Sequence, residues 1–403
     1  MLLQLVITAF FYTLSLLNSF QPDIKPVLTN SACITLSDSL DLKLTQFNDE
    51  KTLPGFAVSV FNEDSIYLQK GYGFMNSNDE VPFESDAVQI IASVTKTFVG
   101  VGVMKLVEQG KLKLDDSIND ILPYAVVNPL YPETDITIRM LAAHTSSIGS
   151  TKNSDKGYRF EQPLRIESFP AAYQPLLSIY NCTEDISMND FLKNKLSAQG
   201  KWYTNEVFTS NRPGTSYEYS NLGIALLARI VEIKSGQSFS DYTHELILQP
   251  LGMKSSYWNL ENIPTNKHVT YYNELHNAIP KYHIITYPDG GLYSSVNDMT
   301  LFLQEMIKGY HGKSAILSKQ SFQIMMSKQF MGKGLDDGIC WDLSFDGLIG
   351  HSGNDFGTAT LMYFSPSTDI GRILFTNISI ETEEQENIFY GIFNTLFEYD
   401  FKV

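Results

Sequence analysis

The stretch 91–110, IASVTKTFVGVGVMKLVEQG, limits the fold more than any other part of the chain. Val94, Phe98, Val99, Val101, Val103, Met104, Leu106 and Val107 place apolar side chains on nearly every side of a helix, and Gly110 supplies a C-terminal stop. A helix that is apolar all round belongs inside a large core rather than on a surface. The spacing therefore predicts one buried helix over 91–110. Two polar residues interrupt it near its start, Ser93 and Lys96, and a separation of three places them on one face. A buried ammonium is costly unless it is paired or gives up its proton. A lysine held that way beside a hydroxyl is one route to an activated serine nucleophile. S-x-x-K is a cheap pattern, however, and by itself leaves coincidence open.

The 403 residues are 43% hydrophobic and 18% charged, enough apolar material for one large domain or two closely joined ones. A formal net charge of −16 leaves no basic stripe to neutralise phosphates, which argues against a nucleic-acid partner. Residues 1–20, MLLQLVITAFFYTLSLLNSF, contain no Asp, Glu, Lys or Arg and read as a secretory signal peptide, with an uncleaved N-terminal anchor as the other reading. On that reading 21–403 is a secreted or periplasmic protein, attached to a membrane through its N-terminus if at all. Cys33, Cys182 and Cys340 are too few and too scattered for a disulfide framework. The sequons at Asn181 and Asn377 are short patterns that arise by chance.

Periodicity predicts an amphipathic helix over 37–47, then a hairpin with strands at 56–61 and 66–72. Thr137 can cap a short helix through 143, and a turn-rich HTSSIGS follows. Over 151–184 periodicity fades, which suggests a surface excursion at the rim of a pocket. Helices are expected at 222–234, capped by Asn221, and at 238–248 and 297–307. Short strands are expected at 347–351, 358–364 and 371–376. Thr382 and Gln385 form a capping box for a last helix with an apolar stripe. Strand groups at both ends and helices between them, with no regular strand–helix alternation, point to an α+β fold built on an antiparallel sheet. The helical region, roughly 85–340, is then inserted between the two strand groups.

Two further motifs could join Ser93 and Lys96. Tyr219-Ser220-Asn221 lies on a Gly-Pro loop before a buried helix, where a phenol could relay a proton and an amide could hold a substrate carbonyl. Y-x-N also occurs at Tyr257 and Tyr271, so position rather than pattern selects the first copy. His351-Ser352-Gly353, followed by Asn354, could form one wall of an acyl site, because glycine lets a substrate approach the backbone and an exposed N–H can serve an oxyanion. The alternative is a glycine-rich bulge between strands. G-x-S-x-G, a P-loop and G-x-G-x-x-G are absent, and His244-Glu245 lacks the second histidine of a zinc site.

In order and company, Ser93-Val94-Thr95-Lys96, Tyr219-Ser220-Asn221 and His351-Ser352-Gly353 resemble the three motifs of the serine β-lactamase and penicillin-binding-protein superfamily, in its class C β-lactamase, D-alanyl-D-alanine carboxypeptidase and esterase branch. The phrases DITIRMLAAHTSSIG, PGTSYEYSNLGIALLARIVE and DGGLYSSVNDMTLFL add to the likeness. The resemblance implies a β-lactamase/transpeptidase-like fold, with N- and C-terminal helices packed on the sheet and an active site between sheet and helical region. It implies Ser93 as nucleophile, Lys96 as its proton acceptor and Tyr219 as shared acid and base. Asn221 would hold the substrate, and the N–H groups of Ser93 and Asn354 would form the oxyanion hole. No metal or cofactor is implied, and the substrate would be a peptide or small molecule.

His351 departs from the lysine common in β-lactamases of this branch, and a histidine, mostly neutral at pH 7, is a poorer anchor for a substrate carboxylate. The long 151–184 segment is a second departure. Both shift weight towards a peptidase or esterase, and His351 would favour carboxylates only below its own pKa. A catalytically inactive binding or assembly relative of the same fold is the alternative.

Overall fold

In the computed structural model, residues 30–49, 51–149, 157–161, 166–168, 174, 184–273, 277–332, 334–345, 347–399 and 401 are described. A six-stranded antiparallel sheet joins the two ends of the chain. Strands β1 (Gly55–Phe61), β2 (Ile66–Asn76) and β3 (Val81–Pro82) come from the first part, and β4 (Ile349–Asp355), β5 (Thr358–Phe364) and β6 (Gly371–Thr376) from the last. The spatial order is β4-β5-β6-β1-β2-β3. β1 pairs with β6 in register from Phe56 opposite Thr376 to Phe61 opposite Gly371, which brings the ends together.

Alternation along the strands sorts their side chains to two cores. Phe56, Val58 and Val60 of β1, with Leu361, Tyr363 and Leu374, face one cluster. There α1 (Asn30–Asp49) contributes Leu40 and Leu44, and α5 (Glu383–Glu398) contributes Phe389, Ile392, Phe393 and Leu396. Ala57, Phe61, Met362, Phe364, Ile373 and Phe375 face a second, larger cluster. It contains α2 (Lys96–Glu108), α3 (Asn221–Ser235) and α4 (Val296–Tyr310). α4 lies directly on β1, β5 and β6, and α2 packs on α3. The antiparallel α+β architecture expected from the sequence is the observed one.

Several boundaries differ from the sequence reading, each for a local reason. The expected helix over 91–110 opens with a 3-10 turn, Ala92–Thr95, and becomes α-helical only at Lys96. Ser220, not Asn221, caps α3, because its Oγ accepts from Gly223 N at 2.9 Å. The strand expected at 347–351 lies at Ile349–Asp355, since Gly357, with φ +71°, turns the chain so that Asp355 pairs with Thr358. The helix expected at 297–307 runs Val296–Tyr310 from a Ser295 cap. That at 238–248 is an α turn, Phe239–Thr243, running into a π turn, His244–Leu248. The Thr137 cap and the Thr382/Gln385 capping box are both present.

Residues 1–20, the sequon at Asn181 and most of 151–184 lie outside the described residues. Asn377 is fully buried and donates through Nδ2 to Phe74 O, Met75 O and Thr270 O, so this second sequon is a structural tie.

Candidate active site

Ser93 lies in the 3-10 turn between the sheet and α2, and that turn is clamped on several sides. From β5, Thr360 Oγ1 donates to Ile91 O at 2.9 Å and Thr358 Oγ1 to Ile90 O at 3.1 Å. From the far side, Ile91 N donates to Leu292 O at 2.9 Å and Leu292 N to Thr95 Oγ1 at 3.2 Å. Ala92, immediately before Ser93, takes φ +48°. A side-chain-bearing residue in the left-handed region costs about 1–2 kcal/mol, which these contacts offset. Gly353 of the edge strand β4 closes the clamp. A Cβ there would stand 2.6 Å from Ile91 O and 2.9 Å from Ser93 N, so only glycine permits the approach.

Two side chains converge on the serine hydroxyl. Lys96 Nζ is 2.9 Å from Ser93 Oγ, and the Tyr219 hydroxyl donates to the same oxygen at 2.7 Å. Lys96 is 0% exposed. It also donates to the Asp289 carbonyl oxygen, and Nζ stands 5.0 Å from the centre of the Tyr219 ring. Burial pushes its ammonium down to about 8, against the opposing charges of Asp289, Cys340 and Asp355. Burial also holds the Tyr219 phenol well above its ordinary value, with the Ser93 hydrogen bond working the other way. The pair is therefore a lysine that can lose its proton near neutrality beside a tyrosine that keeps its own.

The beta-lactamase family model matches residues 40–396, nearly all of the described chain. The chain belongs to the beta-lactamase family. "Protein flp" of Staphylococcus aureus (strain MW2) is 24% identical over 335 residues, covering 82% of this chain and 60% of that protein. The chain thus spans only about 60% of that curated relative's length. Among solved structures, the octameric penicillin-binding protein homologue from Pyrococcus abyssi superposes with a TM-score of 0.70 at 23% identity, covering 90% of this chain and 78% of that one. A class C beta-lactamase does so with a TM-score of 0.65 at 17% identity, covering 92% and 98%. At these identities the superpositions show a shared fold.

In this beta-lactamase-family chain the third motif, His351-Ser352-Gly353, lies within β4 beside the Ser93 turn, reaching beyond the 347–351 expected of the strand. β4 is the last strand of the sheet order; its outer edge is bridged by Asp342 at Gly350, and further along Gly353 stands against the Ser93 turn. Asn221 opens the first turn of α3, directly after Tyr219 and Ser220.

His351 behaves differently from the sequence expectation. It is 6% exposed, and burial, reinforced by the Lys96 charge, pushes its imidazole down to about 4. It is neutral throughout the range in which an exposed histidine would titrate, so it does not offer a carboxylate a charge there.

The sequence reading missed His144 and Asp289. His144 Nδ1 accepts from Ser220 N at 3.1 Å, and its ring stands 4.5 Å from that of Tyr219. Its carbonyl oxygen accepts from Glu218 N, and Thr145 O from Gly214 N, both at 2.7 Å. The HTSS loop is thus the platform that holds the Tyr219 loop. Asp289 is buried behind Lys96, and burial raises its carboxyl against the pull of the nearby ammonium. Both residues stand in phrases already singled out as familiar, AAHTSSIG and DGGLYSS. Their signal was a titratable residue inside an apolar or glycine-rich segment.

A cavity of about 220 Å³ opens in front of Tyr219 and His351. Its other walls include Tyr217, Trp341 and three aspartates, Asp336, Asp337 and Asp342.

Proposed function

We propose that this chain is a serine hydrolase that works by acyl transfer through a Ser93 acyl-enzyme on amide or ester substrates. The observation that carries the reading is the meeting of Lys96 Nζ and the Tyr219 hydroxyl on Ser93 Oγ, at 2.9 and 2.7 Å, with the lysine fully buried. In the competent state Lys96 is neutral and takes the Ser93 proton as Oγ attacks the substrate carbonyl carbon. The oxyanion that forms is met by the N–H groups of Ser93 and Asn354. Tyr219, kept protonated by burial, hands its proton to the leaving group and regains one from Lys96. Water then attacks the acyl-enzyme by the reverse route, which restores Ser93 and releases the acid. Asn221 holds the substrate amide or ester beside this line. The protected, strained turn at Ala92 supports the assignment of Ser93 as the reacting group.

A fluorophosphonate probe tests this directly. It should label the protein once, on Ser93, and Ser93→Ala should remain folded and unlabelled. Undiminished labelling of a folded Ser93→Ala protein rules the assignment out. Side-by-side assays with nitrocefin, short p-nitrophenyl esters and D-amino-acid amides then decide among β-lactamase, esterase and peptidase activity.

A further inference from the structure

Both chain neighbours of Tyr219 are hydrogen-bonded to one residue, His144. Glu218 N donates to the His144 carbonyl oxygen at 2.7 Å, and Ser220 N donates to His144 Nδ1 at 3.1 Å. Two aromatic rings converge on it as well: the imidazole centre lies 4.5 Å from that of Tyr219 and 5.8 Å from that of Tyr217. Ser220 is fixed at its other end by capping α3, where its Oγ accepts from Gly223 N at 2.9 Å. Residues 217–220 therefore take their register from the ring and the carbonyl of a single residue.

The imidazole is held in one protonation state. A backbone N–H can only donate, so Nδ1 is bare and the ring carries its proton on Nε2. A proton on Nδ1 would set donor against donor at Ser220 N. Burial, reinforced by the Lys96 charge, pushes the imidazole well down and keeps it neutral. The backbone is held just as closely. His144 is 3% exposed and sits at φ +54°, a left-handed conformation that residues with side chains rarely adopt. On either side of it Ala143 N donates to Arg139 O at 3.0 Å and Thr145 N to Met140 O at 2.8 Å, which ties the turn to the short helix Ile138–Ala142. Strained conformations of this kind persist where surrounding contacts over-determine them, as at functional sites.

We propose that His144 is a positioning residue for the acyl transfer: by holding the residues on both sides of Tyr219, it aims the phenol at Ser93 Oγ. Tyr219 reaches that oxygen at 2.7 Å from a loop, so no helix or sheet ladder fixes its direction. A misplacement of about 1 Å in such a group can cost about 10²-fold in rate. The loss falls on proton delivery. A drifting phenol penalises a leaving group that must be protonated and spares one that departs as a stable anion. The proposal rests on the acyl-transfer reading, in which Tyr219 hands its proton to the leaving group.

Two esters of one acid test it. Ethyl butyrate releases an alkoxide that must be protonated as it leaves, whereas p-nitrophenyl butyrate releases a stabilised phenolate. His144→Phe keeps a ring and removes the Nδ1 acceptor. It should lower kcat/KM for the ethyl ester by about 10²-fold and for the p-nitrophenyl ester by less than about threefold. His144→Asn keeps an acceptor at the δ position and tolerates a left-handed φ, so it should recover most of the ethyl-ester rate. In the Tyr219→Phe background His144→Phe should cost nothing further, because its effect runs through the phenol. Thermal melts check that each variant is folded; if His144→Phe is not, His144→Gln, whose acceptor lies one bond further out, takes its place. Losses that multiply in the double variant, or that fall equally on both esters, overturn the proposal, as does an ethyl-ester rate untouched by the His144 substitution. Each of those results can occur in a protein that fluorophosphonate still labels on Ser93. Loss of the acyl-transfer reading would show separately, as absence of that label on the wild-type protein.

Discussion

On one face of the sheet, β1, β5 and β6 meet α1 and α5 through Leu40, Leu44, Phe389 and Phe393, each fully buried among other apolar side chains. Beyond the opposite face, around the Ser93 turn, Lys96, Asp289, His144 and His351 are also buried and are all titratable. Apolar burial contributes stability at about 25 cal/mol per Å², whereas buried ionisable groups are held at a cost. For Lys96 the sign is explicit. Folding lowers its pKa from 10.5 to about 8, so the folded state disfavours the proton. That cost is fully present below about pH 8 and fades as pH rises towards the unfolded value. The contrast teaches that the side where the chain ends meet rests mainly on apolar burial, whereas the side with the larger core also holds titratable groups at a cost.

The strongest test of that division is at the serine. Ser93→Ala should reduce turnover by about 10⁴-fold or more, as removal of a nucleophile does, with an unchanged or higher Tm. A parallel fall in Tm would mean that the cleft also carries the fold. Next comes Tyr219→Phe, which should slow kcat by roughly 10²–10⁴-fold, the range for lost acid–base catalysis. Tyr257→Phe should do little. Tyr271→Phe should act on stability instead, because the Tyr271 hydroxyl accepts from the buried Ile90 N at 2.8 Å. Equal kinetic losses at all three tyrosines would remove the case for Tyr219.

From the other side of the sheet, Phe389→Ala should cost about 3–5 kcal/mol of stability while the protein that remains folded keeps its kcat. Chemical denaturation and active-site titration of the same sample separate the two effects. A smaller and continuous effect comes from Lys96. If its neutral form takes the Ser93 proton, kcat/KM should rise about tenfold per pH unit below about 8 and level off above it. A profile already flat at pH 6 would assign the base elsewhere.

The fold was legible because its signals are local. The all-round apolar pattern of α2, the short apolar run of β5 and the capping box of α5 each act within a few residues. Ser93, Lys96 and Tyr219 were legible through motif order, with Tyr219 separated from Tyr257 only by its Gly-Pro loop before a buried helix, since both share the Y-x-N pattern. What stayed hidden depends on long-range contact. The 3-10 turn at Ser93 is imposed by Thr358, Thr360 and Leu292, residues some two hundred or more positions away in the chain. His144 gains its place only when the Tyr219 loop folds over it. The electrostatics of His351 could not be read at all, since burial beside Lys96 reverses what an exposed histidine would do.

That reversal gives the finest test, one in which the expected change is close to zero. An exposed His351 would be half protonated near pH 6.5, and carboxylate substrates would gain on neutral ones as pH fell from 8 to 6. With the imidazole pushed down to about 4, only about 1% of it is protonated at pH 6, too little to attract a carboxylate. Any slope that the kcat/KM ratio of carboxylate to neutral substrate does show over this range must come from other groups, such as Asp337 at the cavity wall or Asp355, which burial raises to about 6. His351→Gln keeps an acceptor and removes the titration, so the ratio should follow the same pH curve in this variant as in the parent. His351→Lys introduces a permanent charge and should lift carboxylate substrates by about 1–2 kcal/mol, the scale of a charge-assisted hydrogen bond. If instead the parent shows a rise that His351→Gln abolishes, the histidine is hydrated in solution. The cleft would then not hold its charged groups in the dry environment that distinguishes it from the outer face.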